Sequence, residues 1–101
     1  MQGFTYMVRR ERAFQQELIL LVVGVPLAIW LGESSVERVL LIVSILLAMI
    51  VEVINSAIET TIDRISLERS ELSARAKDLG SLATLIALIN IVVVWTLALL
   101  N

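Results

Sequence analysis

A chain of 101 residues that is 58% hydrophobic, with a mean hydropathy of +0.92, carries more apolar surface than a soluble domain of its size can bury, and a lipid environment is the expected solvent for the excess. Ten acidic against eight basic side chains, with no basic cluster interleaved with aromatics, argue against a nucleic-acid partner. The absence of cysteine and histidine excludes disulfides, the usual zinc sites and Cys or His catalysis, and leaves any chemistry to carboxylates, Asn, Ser/Thr, Lys or Arg.

In chain order, residues 1–12 form a surface segment. Arg9, Arg10, Glu11 and Arg12 precede an apolar run with no small-residue cleavage pattern, so the first span is expected to be retained. That span covers about residues 13–31, near the roughly 20 residues that cross a bilayer core, and Pro26 inside it predicts a kink. Gly32 to Ser35 supplies a turn. The second span runs over about 36–62, aliphatic in its first half and polar in its second. The charged stretch 63–79 reads as an interfacial loop or helical hairpin, with Ser73 or its neighbours available as caps. The third span, 80–100, is free of charge, with Trp95 near its far end, where an amphipathic ring suits the membrane interface.

Lys and Arg alternate between the non-membrane segments. Arg9, Arg10 and Arg12 precede the first span, Arg38 alone opens the second, Arg64, Arg69, Arg75 and Lys77 follow it, and none follows the third. The positive-inside rule then places the N-terminus and the 63–79 stretch in the cytoplasm and the C-terminus on the far side.

Acids inside a span cost about 2.5 to 3.5 kcal/mol each on insertion scales, so Glu52 and Glu59 call for a reason. With about 100° between successive residues, Glu52, Asn55, Glu59 and Asp63 fall near 0°, 300°, 340° and 20°, a stripe roughly 80° wide on one face. Such a stripe offers a hard cation one or two carboxylates beside substrate phosphates, without a dedicated protein cage. Snorkelling or pairing with loop arginines is the structural alternative. Lys77, in Arg75-Ala76-Lys77-Asp78 ahead of Gly80-Ser81, can supply a mobile charge for phosphate, the structural alternative being a topology signal or a lipid headgroup contact. Neither the nucleotide-binding G-x-x-x-x-G-K-[ST] loop nor a protein-kinase glycine loop is present.

Two blocks carry a resemblance. Glu52-Val53-Ile54-Asn55-Ser56-Ala57-Ile58-Glu59 with Asp63-Arg64, followed at matching distance by Ala74-Arg75-Ala76-Lys77-Asp78 and Gly80-Ser81, resembles the signature of the prokaryotic diacylglycerol kinases. Glu11-Arg12-Ala13-Phe14-Gln15-Gln16-Glu17 is similar to the family's E-x-A-F-x-x-E segment. The resemblance implies an all-α integral membrane protein of the bacterial inner membrane, with three transmembrane helices and a short N-terminal interfacial helix, assembling as a homotrimer. It implies Mg²⁺-dependent transfer of phosphate from ATP to the hydroxyl of diacylglycerol, giving phosphatidic acid at the cytoplasmic surface.

By the same matching, Glu52 corresponds to the general base and Glu11 and Glu59 to the metal-binding acids. Asn55, Asp63, Glu68, Arg69, Ser70, Lys77 and Asp78 correspond to nucleotide contacts, with Lys77 on the transferring phosphoryl group. Ala13, Phe14, Gln15, Gln16, Glu17, Trp30, Arg38 and Ser81 lie on the acceptor-lipid side with Glu52. The chain departs from the pattern in a short stretch ahead of Glu11, in Gln15 where arginine is common, and in residues 67–71, where histidine is frequent. Undecaprenol kinase shares the core signature and is the nearest alternative. An oligomeric cation pathway lined by Glu52, Asn55 and Glu59 is the alternative of another class, and it gives no reason for the Lys77-Asp78 pair.

Overall fold

The computed structural model describes residues 2–65 and 70–100, in four helices: α1 (Gln2–Arg10), α2 (Arg12–Leu31), α3 (Ser35–Ile65) and α4 (Glu71–Leu99). Among the described residues there is no strand, and α2, α3 and α4 are each long and apolar enough to cross a membrane. Helix α3 is the axis, packed against both α2 and α4, while α1 rests on α2. At 1.5 Å per residue its 31 residues span about 47 Å, most of the 51 Å long dimension of the molecule.

The break between α1 and α2 falls on Glu11, whose backbone is extended (φ -107°, ψ 105°). A helix of nine residues is marginal alone, and α1 is anchored by side chains. Met7 is buried, Phe4 meets Phe14 of α2 edge to face at 6.3 Å, and the Gln15 amide donates to the Val8 carbonyl at 2.6 Å. Arg9 and Arg10 fall in its last turn, where positive charge complements the exposed carbonyls. Helix α2 runs on through Pro26, whose ring lies on the exposed face, and closes with Gly32 N–H donating to the Ala28 carbonyl at 2.9 Å. Ser34 Oγ then caps α3 by accepting from Glu37 N–H at 3.1 Å.

The 63–79 stretch is mostly helical. Asp63 to Ile65 close α3, and α4 starts at Glu71, well before the apolar run opens at Gly80. Ser70 is the cap, accepting from Ser73 N–H at 3.0 Å, so Ser73 is the capped residue. Hydropathy marks where lipid begins, whereas the helix begins where a cap and helix-favouring residues such as Leu72, Ala74 and Ala76 allow it.

Small side chains set the packing. Gly24 and Ala28 of α2, Ser44 and Ala48 of α3, and Gly80 and Ala87 of α4 are all buried, which brings the backbones close, as membrane helices require in the absence of a hydrophobic drive. A Cβ on Gly24 would stand 2.7 Å from Ile45 Cδ1 and 3.7 Å from the Trp95 ring. Trp95 therefore departs from the expected interfacial placement: half-buried and turned inward, its Nε1–H donates to the Leu41 carbonyl at 3.0 Å and to Ser44 Oγ at 3.1 Å. An indole N–H in apolar surroundings needs an acceptor, and the core supplies two.

Candidate functional site

Polar groups gather at the other end of the bundle, where the α1–α2 junction, the second half of α3 and the first half of α4 meet. Glu52 and Asn55 are buried at 5% and 7% exposure, and Glu59 is half-buried beside them on the same face of α3. The Asn55 amide donates to Glu59 Oε1 at 3.2 Å, an i to i+4 contact that the predicted stripe requires. From the α1–α2 junction Glu11 reaches the same face, where Ser56 Oγ donates to its Oε1 at 3.1 Å. Glu11 and Glu59 are thus each held through one oxygen by a neighbouring polar residue of α3.

Glu52 lies among acids. It is close enough to Glu11, Glu17 and Glu59 for their charges to interact, and the Thr84 hydroxyl of α4, which donates to the Gly80 carbonyl at 3.2 Å, lies near its carboxyl. Its Oε2 is buried with no hydrogen-bond partner among the described residues. Glu17, 4% exposed, has neither Oε1 nor Oε2 partnered among them. Buried polar atoms are nearly always paired, so three carboxylate oxygens without a partner among the described residues, gathered in one place, set this end apart as the candidate site.

At the rim, Lys77 Nζ donates to Asp63 Oδ1 at 2.8 Å, tying α4 to the end of α3, with Asp78 exposed next to it. Ser81 and Gln16 are exposed, Ala13 is half-buried, and Phe14 is buried against α1. Gln15 is occupied with Val8. Ser70 serves as the α4 cap, and Glu68 and Arg69 lie outside the described residues. Trp30, 78% exposed, and Arg38 are placed at the opposite end of the bundle, about 27 Å along α2 from Arg12 in the case of Trp30. The structure therefore brings Glu11, Glu17, Glu52, Asn55 and Glu59 together and leaves Trp30 and Arg38 apart from them.

Two residues escaped the sequence reading. Ser56 continues the polar stripe at about 40° on the same wheel, so the signal was there. Thr84 is a hydroxyl within an otherwise apolar span, and only the pairing of α4 with α3 shows that it faces Glu52.

Oxygen donors from Glu11 and Glu59 suit a hard cation such as Mg²⁺, and each is already oriented by a hydrogen bond. Among the described residues no three acids form a ready-made metal cage, so such an ion would arrive with part of its shell supplied by a ligand. Beside Ser56, α1 and α3 enclose an open apolar groove of about 680 Å³, lined by Phe4, Met7, Phe14, Val53, Ala57 and Thr60 among others.

The family model for prokaryotic diacylglycerol kinase matches residues 1–99. A diacylglycerol kinase of Escherichia coli K12 is 52% identical over 89 residues, covering 88% of this chain and 73% of the relative. Its counterpart from Pseudomonas aeruginosa is 52% identical over 99 residues, covering 98% and 80% respectively. The Haemophilus influenzae protein is 46% identical over 95 residues, covering 94% and 80%. With the acid-lined site and three spanning helices framed by a match of this extent, the chain belongs to the prokaryotic diacylglycerol kinase family.

Proposed function

We propose that this chain transfers the terminal phosphoryl group of ATP to the free hydroxyl of diacylglycerol, giving phosphatidic acid at the cytoplasmic face of the bacterial inner membrane. Family membership makes it a membrane lipid kinase. The observation that carries the finer reading is the Glu52 carboxylate, buried in a spanning helix with Oε2 unpartnered among the described residues and flanked by two acids that are hydrogen-bonded in place.

In this reading Glu52 accepts the proton of the lipid hydroxyl, whose oxygen bonds to the γ-phosphorus as the bond to the departing ADP oxygen breaks. Glu11 and Glu59 would hold Mg²⁺, which when bound neutralises phosphate charge. Lys77 exchanges Asp63 for the transferring phosphoryl oxygens, and Asp63, Asn55, Ser70 and Asp78 line the approach of the nucleotide. Glu17, with both oxygens free among the described residues, orients the acceptor hydroxyl, and the α1–α3 groove takes apolar chain. The alternation of Lys and Arg supports an N-terminus in the cytoplasm and a C-terminus on the far side. A homotrimer fits the large apolar faces that one protomer leaves open, among them Val22, Ile29, Val92 and Leu97.

The test is transfer of labelled phosphate from ATP by the purified protein in mixed micelles, with diacylglycerol and undecaprenol offered separately and Mg²⁺ present or chelated. Mg²⁺-dependent labelling of diacylglycerol is expected. Preferential labelling of undecaprenol would replace the acceptor, and transfer to neither, with cation flux across vesicles, would return the acid stripe to the pore reading.

A further inference from the structure

We propose that Gly80 is a positioning residue for this site. By leaving room for the Asn55 side chain against the α4 backbone, it holds that amide where it can donate to Glu59. The inference rests on the assignment of Glu59 to the nucleotide-bound cation.

Asn55 is buried, and its two ends meet different partners. Nδ2 donates to Glu59 Oε1 at 3.2 Å, whereas Oδ1 has no hydrogen-bond partner among the described residues. Oδ1 is directed at Gly80. A Cβ placed on that glycine would overlap Oδ1 and lie 3.0 Å from Asn55 Cγ. Tetrahedral geometry points one glycine α-hydrogen along that direction, so the carbonyl oxygen faces a Cα–H, a contact common where helices approach closely. The amide is thereby given a sense. Turned over, its oxygen would confront the Glu59 carboxylate and its NH₂ would confront a C–H.

Gly80 differs in this from Gly24, where the three atoms nearest a built Cβ belong to Ile45 and the Trp95 ring. One glycine admits apolar packing; the other admits a polar side chain that is hydrogen-bonded to a site acid. An alanine at position 80 has no room unless Asn55 changes rotamer, which withdraws Nδ2 from Glu59. The coupling runs from the α4 backbone to the Asn55 amide and on to the Glu59 carboxylate.

Binding of Mn²⁺ with a non-hydrolysable ATP analogue, followed by electron paramagnetic resonance on the full chain in micelles, reads this coupling without turnover. Gly80→Ala is expected to weaken Mn²⁺-nucleotide binding about tenfold or more, the usual cost of losing a group that orients a metal ligand. In an Asn55→Ala background the same substitution is expected to change nothing further. Wild-type affinity in Gly80→Ala, or losses from the two substitutions that multiply in the double variant, would overturn the proposal. Where Gly80→Ala alone fails to fold, a folded Gly80→Ala/Asn55→Ala protein supports the contact, and an equally unfolded one overturns it. Glu59→Gln separates the two readings. Unchanged affinity there overturns the metal assignment itself, whereas weakened affinity beside an unaffected Gly80→Ala overturns only the positioning role.

Discussion

The two ends of α3 treat polar groups in opposite ways. Near its start, Ser44 Oγ donates to the Leu41 carbonyl at 2.7 Å, and the Trp95 indole donates to both. Toward its end, Glu52 Oε2, Asn55 Oδ1 and, from α2, both oxygens of Glu17 have no hydrogen-bond partner among the described residues. A closed network fixes how α3 and α4 meet. An open one costs folding energy and is retained where a ligand completes it. One continuous helix thus builds the scaffold with one half and, in the proposed function, presents the chemistry with the other.

The contrast can be broken by substitution, beginning with the largest effect. Glu52→Gln is expected to lower phosphoryl transfer by about 10² to 10⁴-fold, the usual contribution of a positioned base, with denaturant-induced unfolding no easier than in the wild type. A fully active variant would remove Glu52 from the chemistry. At the closed end, Gly24→Leu drives a side chain into Ile45 and the Trp95 ring and is expected to cost about 1 to 3 kcal/mol, read as the midpoint of unfolding in mixed micelles. Lipid kinase activity per folded molecule should persist; its loss would show that the ends are not independent.

Smaller effects sharpen the boundary. Trp95→Phe removes the indole donor while Ser44 still serves the Leu41 carbonyl, so a loss of about 1 kcal/mol is expected in the same unfolding measurement, with turnover unchanged. Asp63→Asn breaks an exposed ion pair worth no more than about 1 kcal/mol, and unfolding should scarcely move. Its signature is kinetic: if Lys77 exchanges Asp63 for phosphate, the apparent KM for ATP shifts while the unfolding midpoint does not. An unchanged KM would make the pair a surface tether.

Much of this division was legible in the amino-acid order, though unevenly. Three spans follow from hydropathy, and the Glu52, Asn55, Glu59 face follows from helical period, because both are local properties. The hydrogen bond from Asn55 to Glu59 is the direct expression of that period. Ser56 belonged to the same face and could have been read. The start of α4 at Glu71 escaped hydropathy, which senses lipid and not helix. The inward turn of Trp95, the facing of Thr84 toward Glu52 and the contact of Asn55 with Gly80 depend on the register of α4 against α3. Register is a tertiary outcome that no single span encodes.

The length of α3 has one more consequence. From Glu52 to Asp63 the helix rises about 16 Å, while a hydrocarbon core is about 30 Å thick. With Asp63 at the cytoplasmic headgroup layer, as the proposed function has it, a ladder of that height reaches down to acyl depth, so one wall would face two phases at once. In the proposed reaction a water-soluble donor would meet its upper rungs from a three-dimensional solution, and an acceptor that never leaves the bilayer would meet its lower rungs by lateral diffusion. For the proposed reaction, velocity should therefore follow the mole fraction of acceptor within the lipid or detergent phase. Diluting that phase with inert amphiphile at fixed bulk acceptor should slow the enzyme as surely as withdrawing ATP.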